Sequence, residues 1–119
     1  MEKDISLLNA IKTGIQEKKG KKIITADLKG IEAASTDYFV ICEGNSSTQV
    51  DAIADNIYDY VLKNLGIKPF AFDGYQNAQW IVLDYGNIWV HIFQPEIREF
   101  YNLEKLWNDA KLSEIPDVE

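Results

Sequence analysis

Apolar residues along this chain recur with two periods, and the changes of period mark out its elements. Leu8, Ile11 and Ile15 stand at helical spacing over residues 4–18, with Gly20 placed to end that helix. KIITADL, 22–28, predicts a strand, 29–37 a loop, and YFVICEG, 38–44, a second and buried strand. Over 45–66 the period returns to 3.6. Val50, Ile53, Ala54, Ile57, Val61 and Leu65 make one stripe, Ser46 and Gln49 fit a capping box, and Gly66 stops the helix. KPFAF, 68–72, predicts a short strand, and Pro69 favours an edge. Beyond Pro95 the pattern is helical over 95–101 and again over 103–111, and the acidic residues 112–119 are expected to fray. The order α-β-β-α-β-β-β-α-α predicts one α/β domain over residues 1–119, a mixed sheet of about five strands packed with helices.

The stretch between them, WIVLDYGNIWVHIF at 80–93, predicts a hairpin folded about Gly86-Asn87. Gly in the first loop position suits a type II′ turn, although Gly-Asn also permits I′. That register sets Trp80 opposite Phe93, Val82 opposite His91 and Asp84 opposite Trp89. Because side chains alternate across a strand, the hairpin has two different faces. Ile81, Leu83, Tyr85, Ile88, Val90 and Ile92 form a purely core-like one. Trp80, Val82, Asp84, Trp89, His91 and Phe93 form the other, aromatic yet polar, with His91 diagonal to Asp84 and within reach of a hydrogen bond.

Composition narrows what that second face can do. At 119 residues the chain can bury a core without disulfide support, and its single cysteine, Cys42, fits a reducing cytosol. No apolar run approaches a membrane span, and MEKDISLLNA lacks the layout of a signal peptide, so a cytoplasmic protein without a membrane partner is expected. The net charge is −7, with eleven lysines and one arginine, Arg98. Direct nucleic-acid recognition is not expected of such a chain, since phosphate binding draws on basic clusters; the run Lys18, Lys19, Lys21, Lys22 reads as a solvated helix end. An acidic domain is instead complementary to basic partners.

Catalytic readings find little support. Cys42, His91 and Asp84 could form a nucleophile triad, but no glycine-framed nucleophile elbow is present, and a lone cysteine in YFVICEG reads as core. One cysteine and one histidine cannot fill a structural zinc site, so no metal is expected. Gly44, Asn45, Ser46 and Ser47 lead into a helix N-terminus that could hold a phosphate. Nucleotidyl transfer would also need paired carboxylates on a neighbouring strand to hold magnesium, whereas Asp73 and Asp84 are single acids on separate strands. Ser46 therefore reads as a helix cap. Neither catalytic residues nor a cofactor is expected, and a small nucleotide-binding or nucleotidyl-transferring enzyme stands only as the alternative. The aromatic-polar face, continued by Arg98, Tyr101, Glu104 and Trp107, has the residue types that dominate binding hot spots.

W-x-x-x-D-x-G-x-x-x-x-H, Trp80 to His91, and R-x-x-Y-x-L-E-x-L-W, Arg98 to Trp107, together resemble the ribosomal silencing factor (Iojap) family. The likeness takes in G-x-S-x-x-Q-V from Gly44 to Val50 and the Phe72-Asp73-Gly74 step, and covers about residues 5–112. Asp73 stands where many members have Glu, and Gly86-Asn87 where Gly-Asp is usual; both substitutions keep the turn chemistry. The resemblance implies a nucleotidyltransferase-like fold without its catalytic acids and a non-enzymatic role. It implies binding to the large (50S-type) ribosomal subunit through ribosomal protein fourteen (of the uL14 type), obstruction of small-subunit joining, and lowered translation when nutrients are short. Members are often dimers, so a homodimer is expected to be possible when the protein is free. The residues expected to meet the partner are Trp80, Asp84, Trp89, His91, Phe93, Arg98, Tyr101 and Glu104, with His91 and Asp84 ordering the surface rather than performing chemistry.

Overall fold

The computed structural model describes residues 2–31, 34, 36–106 and 110–117. Helix α1 spans Glu2–Glu17 and α2 spans Ser47–Leu65. The strands are β1 (Lys21–Asp27), β2 (Tyr38–Glu43), β3 (Ala71–Asp73), β4 (Trp80–Asp84), β5 (Ile88–Phe93) and β6 (Lys111–Ile115), with short helices α3 (Pro95–Tyr101) and α4 (Leu103–Leu106) between the last two. The six strands form one sheet in the order β3-β4-β5-β2-β1-β6. Its central pair, β2 with β5, is parallel and the other four pairs are antiparallel, so the sheet is mixed as expected.

α2 is capped at Ser46 and ends at Gly66 as its sequence implies, while the expected capping box and the end of α1 differ in detail. Ser46 Oγ accepts from Gln49 N at 3.1 Å, and Gly66 ends α2 in the left-handed region at φ 68°. Gln49 reaches back to the amide of Asn45 rather than to that of the cap residue. At the end of α1 the left-handed residue is Lys19, at φ 58°, and the amide of Gly20 bonds the carbonyl of Ile15 at 3.0 Å. The stripe Val50, Ile53, Ala54, Ile57 and Val61 is buried, with α1 packed beside it through Leu7, Ala10, Ile11 and Ile15.

The sheet therefore has a helix-covered face and a second face. Ile81, Leu83, Tyr85, Ile88, Val90 and Ile92, the inferred core face of the hairpin, all join the α1–α2 core. The opposite face carries a smaller cluster of Ala26, Leu28, Phe39, Ile41 and Phe93, with Ile97 of α3 and Leu103 of α4 packed on it.

Two expectations at the C-terminal end need correction. The helix expected over 103–111 is described only as Leu103–Leu106, residues 107–109 lying outside the described set, and 111–115 is a strand instead of part of a frayed tail. β6 pairs antiparallel with β1 in the register Asp27↔Lys111 to Ile23↔Ile115. Its hold is the backbone ladder plus Ile115, the residue of this strand that packs against the main core. A strand with so little inward apolar pattern leaves almost no period-2 signal. Just beyond it, Asp117 Oδ1 accepts from the amide of Lys22 at 2.8 Å.

Candidate partner-binding surface

The hairpin places the candidate residues. Its register is the inferred one throughout, from Trp80↔Phe93 to Asp84↔Trp89, and Tyr85 N bonds Ile88 O across the turn at 2.9 Å. Gly86 takes φ 91° while Asn87 stays out of the left-handed region, which selects type II′. Asp84 is committed to this turn: its Oδ1 accepts from Gly86 N at 2.8 Å.

The expected Asp84–His91 pairing is thus absent. His91 Nδ1 instead accepts from Trp80 Nε1 at 3.1 Å. The imidazole is only 4% exposed, edge-on to Phe39 at 4.5 Å between centroids and stacked with Phe93 at 6.1 Å. Burial lowers its pKa from 6.5 to about 4, so it is neutral near pH 7. With Nδ1 accepting, the proton sits on Nε2, which is buried without a partner among the described residues.

The other expected contact residues divide by depth. Phe93, 1% exposed, lies under Trp80, with ring centroids 4.9 Å apart. Trp89 is half-buried against Phe39. Arg98 is buried and clamps α3 to the sheet: its Nη1 meets Glu43 Oε1 at 3.2 Å and the carbonyl of Lys22 at 2.7 Å. Tyr101 is 50% exposed and leans on Trp80 at 4.7 Å. Glu104 belongs to α4, but its side chain, like the whole of Trp107, lies outside the described residues. Phe93, His91 and Arg98 accordingly support the surface from beneath, while Trp80, Trp89, Asp84 and Tyr101 keep some exposure.

Around Trp80 opens a groove of about 440 Å³ whose walls include Phe72, Asp73, Tyr75, Ile97 and Tyr101. Gly74 shapes it. At φ 97°, a Cβ there would lie 2.0 Å from the carbonyl oxygen of Trp80, so no side chain is tolerated. Asp73 Oδ1 accepts from Gly74 N at 2.8 Å. Tyr75 meets Phe72 edge-on at 5.6 Å and packs against the helix-side core, near the carboxylates of α2. Burial, then the carboxylates of Asp55 and Asp51, push the Tyr75 hydroxyl above its ordinary range. Phe72, 61% exposed on the edge strand, pairs with Leu83, so it and Tyr75 lie toward the α2 side of the sheet.

The residues of the catalytic alternatives are not brought together. Cys42 pairs with Ile92 and faces the helices, whereas His91 faces the other way. Burial pushes the Cys42 thiol up to about 12. Asp73 and Asp84 sit on the face opposite α2 and its Ser46 cap, and each carboxylate serves a local turn. Among the described residues no three of His, Cys, Asp or Glu cluster as a metal site.

Comparison with known proteins fits this picture. The family model "Ribosomal silencing factor during starvation" matches residues 1–119. The chain belongs to the ribosomal silencing factor family. It is 40% identical to the ribosomal silencing factor of Bacillus subtilis over 92% of either chain. A mouse relative of the family, named for mitochondrial assembly of the ribosomal large subunit, is 34% identical over 71% of this chain and 40% of its own. A crystal structure from Bacillus halodurans superposes with a TM-score of 0.76 at 36% identity, covering 96% of this chain and 97% of that one. The hairpin, the Arg98 clamp and the Trp80 groove are thus features of a chain that belongs to this family.

Proposed function

We propose that this chain silences translation by binding the large ribosomal subunit through ribosomal protein fourteen (uL14) and blocking small-subunit joining. The observation that supports this most is the half-open aromatic groove around Trp80 on an acidic chain, framed by β4, α3 and the 74–79 turn. A preformed surface of Trp, Tyr and Phe with a carboxylate at its rim suits a basic protein partner. Trp80, Trp89 and Tyr101 make the contact, with Asp84 holding the hairpin turn and Glu104 proposed as a further contact residue. His91, Phe93 and Arg98 hold the surface in shape from below. Occupying that face excludes the small subunit by bulk alone, with no chemistry and no cofactor, in the cytoplasm where subunits join.

Purified large subunits sedimented with this protein, then challenged with small subunits, test the reading. Co-migration with the large subunit and a fall in joined ribosomes are expected. Failure to co-migrate, or joining unchanged at saturating protein, overturns it. The supported residues would also mark the contact: Tyr101→Ala should release the protein from the subunit without unfolding it.

A further inference from the structure

The groove beside Trp80 has a ring pair and one carboxylate on the face opposite α2, and none of its lining residues among those described is basic. Trp80 and Tyr101 form a ring pair at 4.7 Å between centroids on the face opposite α2, the face that Asp73 shares through its register partner Val82, whereas the Phe72–Tyr75 pair turns to the α2 side. Aromatic faces carry negative charge density and attract cations within about 6 Å of the ring centre. Elsewhere this chain uses that attraction internally, with Lys29 Nζ 5.0 Å over the ring of Tyr38. Among the described residues, none that lines the groove supplies such a cation. Asp73 spends one oxygen on Gly74 N, and the second has no partner among the described residues.

We propose that this groove is a receptor for a single cationic side chain, an arginine guanidinium projecting from a basic partner. The planar guanidinium lies against Trp80 and Tyr101 while the remaining oxygen of Asp73, on the same face, accepts from one edge. Arginine fits better than lysine, because it stacks on rings and is more weakly hydrated. The proposal rests on the partner-binding role above and names what that partner must present. The larger cavity of about 1000 Å³ between α3 and the β1–β6 edge is a poorer candidate, since Arg98 and Glu43 already pair at its wall. The smaller groove of about 160 Å³ beside Trp89 shares Asp73 with this one, but has Trp89 alone in place of the Trp80–Tyr101 pair.

The test titrates the full chain with N-acetyl-arginine amide, following the Trp80 indole N–H and Tyr101 ring resonances, with N-acetyl-citrulline amide as the neutral isostere. Saturable shifts at Trp80 and Tyr101 are expected, with citrulline weaker by about fivefold or more and Asp73→Asn weaker by about threefold, the scale of an exposed cation–π or ion-pair contact. Tyr101→Leu, at a half-exposed position, should abolish the shifts while the melting temperature holds. Equal binding of citrulline overturns the proposal, as do shifts centred on Asp51, Asp55 and Asp59 of α2. Subunit sedimentation separates this inference from the wider reading. Co-migration indifferent to Asp73→Asn and Tyr101→Leu refutes the cation site and leaves ribosome binding standing. Arginine amide seated in the groove of a protein that never co-migrates refutes ribosome binding and leaves the cation site.

Discussion

The two faces of the β4–β5 hairpin are built from the same strands and the same register, yet they do different work. On the helix side every inward residue, from Ile81 to Ile92, is shut in by α1 and α2. On the other side two short helices cover only part of the sheet, leaving Trp80 and Trp89 half-open above a buried Phe93 and His91. Complete cover yields stability alone. Incomplete cover, made of aromatics that hold one another in place, yields a surface that is ordered before any partner arrives. The difference lies less in the strand residues than in what packs over them.

That contrast can be broken first at its clamp. Arg98→Met leaves Glu43 buried without its partner and should cost about 3–5 kcal/mol of folding stability, the range for halving a buried ion pair. Urea unfolding measures it, and a loss under 1 kcal/mol would mean α3 is held by packing alone. On the helix side, Leu83→Ala should remove about 2–5 kcal/mol through the cavity it leaves. Subunit binding by the fraction still folded should not change, which affinity corrected for folded protein would reveal.

His91 sharpens the comparison through pH. Its pKa is about 4 when folded against 6.5 in the ordinary state. Between those values the unfolded chain binds the extra proton, so stability should fall as pH drops from 6.5 to 4 and should not change from this cause above 6.5. At 1.36 kcal/mol per pH unit the full loss is about 3 kcal/mol. His91→Asn keeps an acceptor near Trp80 Nε1 and should remove most of that slope, read by comparing urea midpoints of the two proteins at pH 7 and pH 4.5. Parallel pH curves would show that the imidazole is not the titrating group.

Smaller effects belong to the open side. Tyr101→Ala should cost about 2 kcal/mol of subunit affinity, as hot-spot truncations do, while stability changes by less than about 0.5 kcal/mol. A drop in both together would make Tyr101 a core residue. Raising salt from 0.05 to 0.5 M should slow association several-fold and leave dissociation nearly unchanged, because screening acts on the encounter. Stopped-flow association at the two salts decides this.

The hairpin was legible from sequence down to the facing of each side chain, because period 2 and the Gly-Asn turn leave one register that buries six apolar residues together. The cover was not legible. Alternation says which residues share a face, but whether α3 and α4 lie over it depends on contacts distant in sequence, such as Arg98 with Glu43. The partner of His91 was misread for a related reason. Asp84 and Trp80 are both its diagonal neighbours, and the nearby Gly86 amide engaged Asp84. The strand at 111–115 was hidden because it is held mostly by backbone bonds, which carry no side-chain pattern.

That late strand also bears on how the protein is made. Asp27 finds its partner in Lys111, so β1 presents a bare hydrogen-bonding edge while everything from α2 to α3 is being synthesised. Bare strand edges recruit other chains, and pairings so distant in sequence form late. The nascent protein is thus expected to be most prone to aggregation just before its final strand emerges. Chains stopped at residue 110 should clump on release where chains carried through residue 117 stay dispersed, a difference that light scattering would register.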